Sequence, residues 1–338
     1  MTVAIVDAHN DLLCELEHVR IDPEPFGRLW RGQLQAGGVV LQVCPLFGAQ
    51  IDWLPDGALR HSLQQVEAFY RAIDESGGGV SAVGTKADLE PVERGESMGL
   101  MLSMEGVEPL GYDPTLIDLF WRLGVRMVSI THNRRNPFGE GLAEPGTGGL
   151  SRLGEELVDR MAELGMIIDL VHGSERTYFD TLERLDDSAT VVVSHAGCRA
   201  QWDTPRNLSD EQMRALADRG GVMGMMLLPN SIDSYNRTHD RVADHVDHAV
   251  QVMGIDHVGM GGDFIAQVAE TLNWRAPVEK SIPRPEGWSF STPIDGLRGP
   301  DGYPGLIESL SRRGYSDDDL RKLGSENFMR VFRRGLPG

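Results

Sequence analysis

Eight apolar runs of strand length recur along the chain and alternate with segments of helical periodicity. The runs are rich in Val, Ile, Leu and Met and are mostly continuous, which predicts strands that are buried on both faces. They lie at residues 3–8, 38–46, 99–104, 126–131, 166–171, 190–194, 220–227 and 257–261. Alternating strands and helices predict parallel strands, and eight such units that close on themselves form a (β/α)8 TIM barrel, an α/β fold. A doubly wound open sheet is the structural alternative.

The helical segments contain start signals and apolar faces. Leu and Met recur at spacings of three and four over residues 149–164, so one side of this helix is expected to cover the strands. Ser209 with Gln212, and Ser316 with Asp319, are capping-box patterns that predict helix starts.

A further helical segment, residues 239–253, is rich in histidine and aspartate. His239, His245 and His248 lie among three aspartates and could be mistaken for metal ligands. We interpret them as part of a solvated polar face.

Composition excludes several classes of protein. A hydrophobic share of 41% and a charged share of 25% are typical of a soluble globular chain. The formal net charge of -19 argues against a nucleic-acid or anionic-membrane partner, because both need clustered Lys and Arg. The three cysteines form no CxxC pair and are too few for a disulfide framework, which indicates a reducing compartment. The chain enters its first strand directly after Met1 and has no apolar run of membrane-spanning length, so we expect a cytoplasmic protein.

The length of the chain, 338 residues, would suffice for two domains, but α/β barrels of this length are routinely one domain. We therefore predict a single barrel domain over residues 1–338. Two connections are longer than is usual between such units: residues 133–148, and residues 265–301 with Trp274 and Trp288. Long loops after barrel strands commonly build the wall or lid of an active site, and a surface insertion is the alternative.

Side chains that can bind a metal or transfer a proton follow nearly every predicted strand. A single interior histidine is more often a hydrogen-bonded core residue than a ligand. In a barrel, however, the carboxyl ends of all strands meet at one mouth, so these side chains are expected to share a cavity. They are His9, Asp11, Glu105, His132, His172, His195 and Asp263. The pattern predicts a metal or acid–base site at that mouth.

Six ordered motifs connect these residues with a known family. They are DAHND at 7–11, SMEG at 103–106, THN at 131–133, DLVH at 169–172, SH at 194–195 and GGDF at 261–264. On these motifs the chain resembles the membrane (renal) dipeptidase family, peptidase family M19, within the amidohydrolase superfamily. The likeness extends over nearly the full length.

The resemblance implies a metallo-dependent hydrolase barrel with two zinc ions that hydrolyses dipeptides, including those with a D-residue at the C-terminal position. It assigns one zinc to His9, Asp11 and Glu105, and the second to Glu105, His172 and His195, with Glu105 as the bridge. Many amidohydrolases bridge their metals with a carbamylated lysine instead. The three lysines of this chain all lie away from predicted strand ends, which agrees with a carboxylate bridge. Two zinc ions would share a water and convert it to a metal-bridging hydroxide at neutral pH.

The resemblance also implies roles for three residues that do not bind metal. Asp263 would accept the proton of the attacking water and pass it to the leaving amine. His132 would contact the substrate and stabilise the oxyanion. Arg206 would bind the terminal carboxylate of the substrate, a task suited to a two-pronged donor.

The chain departs from the family pattern in three ways. It lacks the signal and lipid-anchor segments of the mammalian enzymes, which removes the membrane from the prediction. Ile265 stands where members often have a second Asp, and Leu228-Pro229-Asn230 offers no aromatic residue after the seventh strand. The last two departures leave the substrate preference open.

Two alternatives to a dipeptidase remain at this point. One is a related amidohydrolase that acts on another small amide, a lactam or an N-acyl amino acid. The other is a non-catalytic homologue that binds metal or peptide without turnover. The sequence also leaves open whether the chain forms a homodimer.

Overall fold

The computed structural model describes residues 3–47, 55–144, 146–273 and 284–338. The strands of these residues belong to one parallel sheet with the order β2-β1-β9-β8-β7-β6-β5-β4-β3. Their bounds are β1 Ile5–Asp7, β2 Val39–Phe47, β3 Val80–Ala82, β4 Met98–Glu105, β5 Met127–Ser129, β6 Ile167–Asp169, β7 Val191–Ala196, β8 Met223–Met225 and β9 Val258–Met260.

The sheet closes into a barrel through a second pairing of β2. This strand pairs with β4 along seven residues, from Leu41 opposite Gly99 to Phe47 opposite Glu105. The closure forms a ring of eight strands, which are β1, β2 and the six strands from β4 through β9. The predicted (β/α)8 barrel is therefore confirmed, and the open-sheet alternative is wrong.

Strand β3 is an addition that the sequence did not reveal. It pairs with the first half of β4, with Val80 opposite Met98, while β5 pairs with the second half. Only the first of its three residues is buried, so it lacks the long apolar run that marks the other strands.

The remaining strands lie where the apolar runs predicted them, but several are shorter. The run 220–227 contains only Met223–Met225 as a paired strand, although Val222 and Leu227 are also buried. An apolar run therefore indicates the buried part of the chain, and the hydrogen-bonded strand is a smaller part of it.

Helices follow the strands and cover the barrel. They are α1 Leu12–His18, α2 Gly32–Ala36, α3 Pro55–Glu75, α4 Lys86–Glu93, α5 Ile117–Arg122, α6 Arg152–Leu164, α7 Glu175–Arg184, α8 Asp210–Asp218, α9 Pro229–Ile232, α10 His239–Met253, α11 Ala266–Thr271, α12 Tyr303–Arg312, α13 Asp317–Arg321 and α14 Asn327–Gly335. Both predicted capping boxes are present, at the starts of α8 and α13. Helix α6 begins after Ser151, whose hydroxyl accepts a hydrogen bond from the Gly154 N–H. No helix of the described residues is both long enough and apolar enough to span a bilayer.

The interpretation of α10 as a solvated face is wrong for one of its histidines. His245 is fully buried, its Nδ1 atom accepts a hydrogen bond from the Cys198 N–H, and its Nε2 atom lies 3.0 Å from the Ile232 carbonyl oxygen. Both ring nitrogens are therefore used to fix neighbouring loops. His248, by contrast, pairs with Asp210 on the partly exposed side of the helix.

One end of the barrel is closed by α14. Its residues Phe328, Val331 and Phe332 pack with inward-facing strand residues such as Val43 in a separate inner core. Gly259 of β9 is required at this contact, because a Cβ atom there would lie 2.5 Å from the Phe328 ring. Side chains therefore fill the barrel at the end where the strands begin. A functional site can form only at the opposite end, where the strands finish.

Candidate active site

The structure brings all eight predicted site residues to the carboxyl end of the barrel. His9 and Asp11 follow β1, Glu105 ends β4, His132 follows β5, His172 follows β6, His195 lies in β7, Arg206 precedes α8, and Asp263 follows β9. All except the partly exposed His132 are buried. Residues that are far apart in the chain thus share one small, mostly dry volume.

Glu105 is the centre of this group. Its Oε1 atom lies 2.9 Å from His172 Nε2, 3.5 Å from His195 Nε2 and 3.7 Å from His9 Nε2. A single carboxylate oxygen therefore faces imidazoles from three different strands. These are the donor types that bind Zn²⁺ in proteins.

The potential ligand atoms form overlapping groups of three, and in each group they lie within 4.8 Å of one another. One group contains His9, Asp11 and Glu105, and another contains Glu105, His172 and His195. Glu105 is the member common to both. A third group joins His9 and His195 to Asp263, whose oxygens lie 4.0 Å from each of these two histidines.

Unpartnered polar atoms indicate that the group fits a cation. The Nε2 atom of His9 and the Oδ1 atom of Asp11 are buried 3.7 Å apart, and neither has a hydrogen-bond partner among the described residues. Buried polar atoms are normally satisfied, so two adjacent exceptions need an explanation. A divalent cation between them would satisfy both.

The electrostatics of the residues agree with this fit. Burial, and then the Asp263 charge, raises the pKa of Asp11, and burial with the neighbouring carboxylates raises the pKa of Glu105. Burial lowers the pKa of His9, His172 and His195, which favours neutral rings. The site thus combines neutral imidazoles with carboxylates that lack sufficient nearby positive charge, and bound cations would supply it.

The backbone is strained at two of the site residues. His172 and Asp263 have φ angles of 63° and 51°, in the left-handed region that non-glycine residues rarely adopt. Hydrogen bonds hold both in place: the His172 carbonyl accepts from the Leu142 N–H at 2.9 Å, and the Asp263 N–H donates to the His9 carbonyl at 2.9 Å. These turns direct both side chains towards the cavity.

Two outer contacts involve the other nitrogens of the histidine rings. His172 Nδ1 lies 2.8 Å from Asn133 Oδ1, and His195 Nδ1 lies 2.7 Å from Ser194 Oγ. Both contacts leave Nε2 directed towards Glu105. Asn133 and Ser194 lie within the THN and SH motifs, but neither was among the predicted site residues. Each stands beside a predicted site residue in the chain, His132 or His195, and this position was the signal that could have identified it.

Arg206 is the only arginine predicted for the site, and it lies against the ligand group. The guanidinium is buried, and its Nη2 atom is 3.2 Å from His172 Nε2. Burial lowers the pKa of Arg206, whereas the charges of Asp263 and Glu105 act to raise it. Beside it lies a cavity of about 180 Å³ with Glu144 in its lining. A buried cation at this position can bind an anionic group of a ligand.

His132 is placed one ring away from the ligand group. Its ring centroid is 4.4 Å from that of His172, and the Phe47 ring contacts it edge-on at 5.0 Å. Burial, and then the Arg206 charge, lowers the pKa of His132 to about 3. A neutral imidazole here can donate a hydrogen bond from one ring nitrogen and accept one at the other.

The first long connection contacts the site directly. Gly141 forms an isolated antiparallel bridge with Gly173, and this contact packs the 133–148 segment onto the turn that contains His172. The second long connection, residues 265–301, begins with helix α11. Further along it, the Trp288 ring contacts the Phe290 ring, and their centroids are 5.2 Å apart. Trp274 lies outside the described residues.

The closed barrel and the carboxylate-centred group of ligands at its mouth define the class of metal-dependent hydrolases. Within that class, the model of the membrane dipeptidase family (peptidase family M19) matches residues 1–276, and the chain belongs to this family. The resemblance drawn from the motifs is thereby confirmed.

Individual relatives and solved structures agree with the family. Dipeptidase verJ of Clonostachys rogersoniana is 28% identical over 350 residues, which cover 97% of this chain and 83% of that protein. The crystal structure of dipeptidase AC, an M19 metallopeptidase, has a TM-score of 0.85 at 23% identity and covers 100% of both chains. A metallopeptidase from Rhodobacter sphaeroides, solved with a phosphinate mimic of the dipeptide L-Ala-D-Ala, has a TM-score of 0.83 at 23% identity, with 99% of this chain and 100% of that chain covered. At such identities the two structures show the shared fold.

Proposed function

We propose that this member of family M19 is a binuclear zinc dipeptidase whose substrates include L,D-dipeptides. The observation that supports it most strongly is the position of Glu105, which is common to two groups of three ligand residues. The names of the relatives add support, since one is a dipeptidase and one structural neighbour was solved with a mimic of L-Ala-D-Ala.

In this proposal one zinc is held by His9, Asp11 and Glu105, and the other by Glu105, His172 and His195. When bound, the ions supply Lewis acidity, which lowers the pKa of water towards 7 and polarises the scissile carbonyl group. The chain itself supplies everything else: the binding of the substrate, its orientation and the movement of protons.

Proton transfer is the proposed role of Asp263. Its oxygens lie 4.0 Å from His9 Nε2 and from His195 Nε2, so the carboxylate borders the space between the two ligand groups. From there it can accept the proton of the attacking water and then deliver it to the amine that leaves. The strained turn at Asp263 holds the carboxylate at this border.

Substrate binding is the proposed role of Arg206 and His132. The buried guanidinium of Arg206 would bind the terminal carboxylate of the dipeptide through charge-assisted hydrogen bonds. The neutral His132 ring would donate a hydrogen bond to the oxygen on which negative charge develops. Both side chains lie beside the His172 ring, Arg206 at its Nε2 atom and His132 with its ring centroid 4.4 Å away, so both are close enough to contact one small substrate.

A substrate panel on the zinc-loaded enzyme tests the proposal. The panel pairs each free L,L- and L,D-dipeptide with its N-acetyl derivative and with its C-terminal amide, and it also contains N-acyl amino acids and lactams. Asp263→Asn serves as the control for contaminating peptidases. We expect the wild type to hydrolyse free dipeptides best. Faster hydrolysis of N-acyl amino acids or lactams would indicate the related amidohydrolase instead. Zinc binding without turnover of any substrate would indicate a non-catalytic homologue.

A further inference from the structure

Ser194 lies between one of the proposed zinc ligands and a buried carboxyl group. Its Oγ atom is 2.7 Å from His195 Nδ1, and its backbone N–H donates a hydrogen bond to Asp169 Oδ1 at 3.0 Å. Ser194 is fully buried, and Asp169 is 5% exposed, so water has little access to these contacts. Ser194 therefore connects Asp169, at the end of β6, with His195 at the mouth of the barrel.

Asp169 holds the backbone of Ser194 in place. Its Oδ1 atom accepts hydrogen bonds from the Val171 N–H at 3.1 Å and from the Ser194 N–H at 3.0 Å. These bonds fasten the end of β6 to β7 and do not involve the Ser194 hydroxyl. Burial raises the pKa of Asp169 to about 6, and the hydrogen bonds from Ser194 and Val171 limit the rise.

We propose that Ser194 is a positioning residue that fixes the direction of the His195 ring for metal binding. If Nε2 of His195 is to offer its lone pair to a metal beside Glu105, the ring proton must be on Nδ1. Nδ1–H then donates to Ser194 Oγ, 2.7 Å away, and this hydrogen bond holds the ring with Nε2 directed into the site. The inference rests on the proposed metal site and adds one residue to it.

Packing alone does not fix the direction of this ring. The His9 and His195 rings are stacked, with centroids 3.6 Å apart and planes inclined by 25°. Stacking restricts the plane of the His195 ring but does not fix the rotation of the ring within that plane. The contact between Nδ1 and Ser194 Oγ does fix this rotation. His172 differs from His195, because the partner of its Nδ1 atom is the amide oxygen of Asn133.

Removal of the hydroxyl tests the inference through metal affinity. Ser194→Ala deletes Oγ but retains the backbone N–H that bonds to Asp169. We expect the zinc assigned to Glu105, His172 and His195 to bind about 10- to 100-fold less tightly in competition with a chromophoric chelator, the usual effect of losing an outer partner of a ligand histidine.

Ser103→Ala is the matched control. Ser103 is a buried strand serine, 3% exposed, and its hydroxyl has no hydrogen-bond partner among the described residues. The Ser103→Ala variant should bind both zinc ions as tightly as the wild type does. A further comparison uses His195→Ala, in which Ser194→Ala should not change the affinity of the remaining zinc, because the ligand through which Ser194 acts is absent.

The outcomes separate this inference from the proposed function. If wild type binds two zinc ions and Ser194→Ala binds them with unchanged affinity, the positioning role is wrong and the metal site stands. If Ser194→Ala weakens zinc equally in the wild-type and His195→Ala backgrounds, or only lowers the thermal stability of the metal-free protein, Ser194 is structural. If the wild type binds no zinc, the proposed function itself fails.

Discussion

The Nη2 atom of Arg206 lies 3.2 Å from the Nε2 atom of His172. A permanent positive charge is thus in contact with the nitrogen that is proposed to bind zinc. Binding of zinc would require that lone pair, so the guanidinium would have to find another acceptor. The terminal carboxylate of a dipeptide would be such an acceptor. Because a general amidase does not require that carboxylate, Arg206 is the residue whose mutation can distinguish the two activities.

Arg206→Ala is therefore expected to reduce kcat/KM for a dipeptide. Loss of hydrogen bonds to a charged group costs about 1.5 to 3 kcal/mol, which is a decrease of about tenfold to about a hundredfold. The matching dipeptide amide, which lacks the terminal charge, should be a poor substrate for the wild type and should lose much less on mutation. Arg214→Ala, on the exposed side of α8, is the control. An equal loss with both substrates would make Arg206 a structural residue.

Zinc content tests the ligand assignment directly. Elemental analysis of the purified protein should find about two zinc equivalents. His172→Ala should lose one of them preferentially, because His172 belongs to only one of the two groups that share Glu105. His248→Ala removes a histidine that pairs with Asp210 outside the site, and it should retain both. One tight equivalent in a fully active wild type contradicts the binuclear site.

The role of Asp263 can be separated from metal binding by Asp263→Asn. This variant should retain both zinc ions, while kcat falls by about 10² to 10⁴, the usual contribution of general acid–base catalysis. Both quantities need to be measured on the same preparation. Loss of one zinc ion would instead make Asp263 a ligand, in keeping with the third group that it forms with His9 and His195. Unchanged turnover would remove it from the mechanism.

A fourth prediction concerns Glu108, near but outside the ligand group. Burial raises the pKa of its carboxyl from 4.5 to about 7, although Asn136 Nδ2 donates a hydrogen bond to Oε1 at 3.3 Å. The folded state therefore binds the proton more tightly than the unfolded state. The resulting contribution to the free energy of unfolding is complete below pH 4.5 and is lost as the pH rises towards 7.

Glu108→Gln keeps the size of the side chain and removes this titration. Relative to wild type, the variant should gain up to about 3 kcal/mol as the pH rises from about 4.5 to about 8, at 1.36 kcal/mol for each pKa unit. Denaturant unfolding of the metal-free proteins at several pH values measures this difference, in which the titration of all other groups cancels. Glu156→Gln on α6 controls for the amide substitution. A difference that does not change with pH would contradict the assigned pKa.

The strand positions and the candidate ligands could be predicted because both have local signatures. A strand buried on both faces needs a continuous apolar run, and in a barrel the residue after that run lies at the mouth. His9 and Glu105 were found in this way. Arg206 has no such signature, because it lies in a loop, and only the family resemblance pointed to it.

Other features depend on contacts that no local pattern encodes. Strand β3 pairs through three residues of which one is buried, so its sequence does not distinguish it from a loop. The burial of His245 arises because its ring fixes the loops at Cys198 and Ile232, and these partners are distant in the chain. The left-handed backbone of His172 and Asp263 occurs without glycine, the residue that would have marked it.

The inner core beneath the site receives its last members from α14, which follows every barrel strand in chain order. During synthesis, the strands therefore leave the ribosome before the side chains of Phe328 and Phe332 are available to cover their starting ends. Strands that paired before α14 docked would leave apolar side chains such as Val43 uncovered. We therefore expect the spacing of the site residues at the far end to become fixed only when α14 packs against these strands.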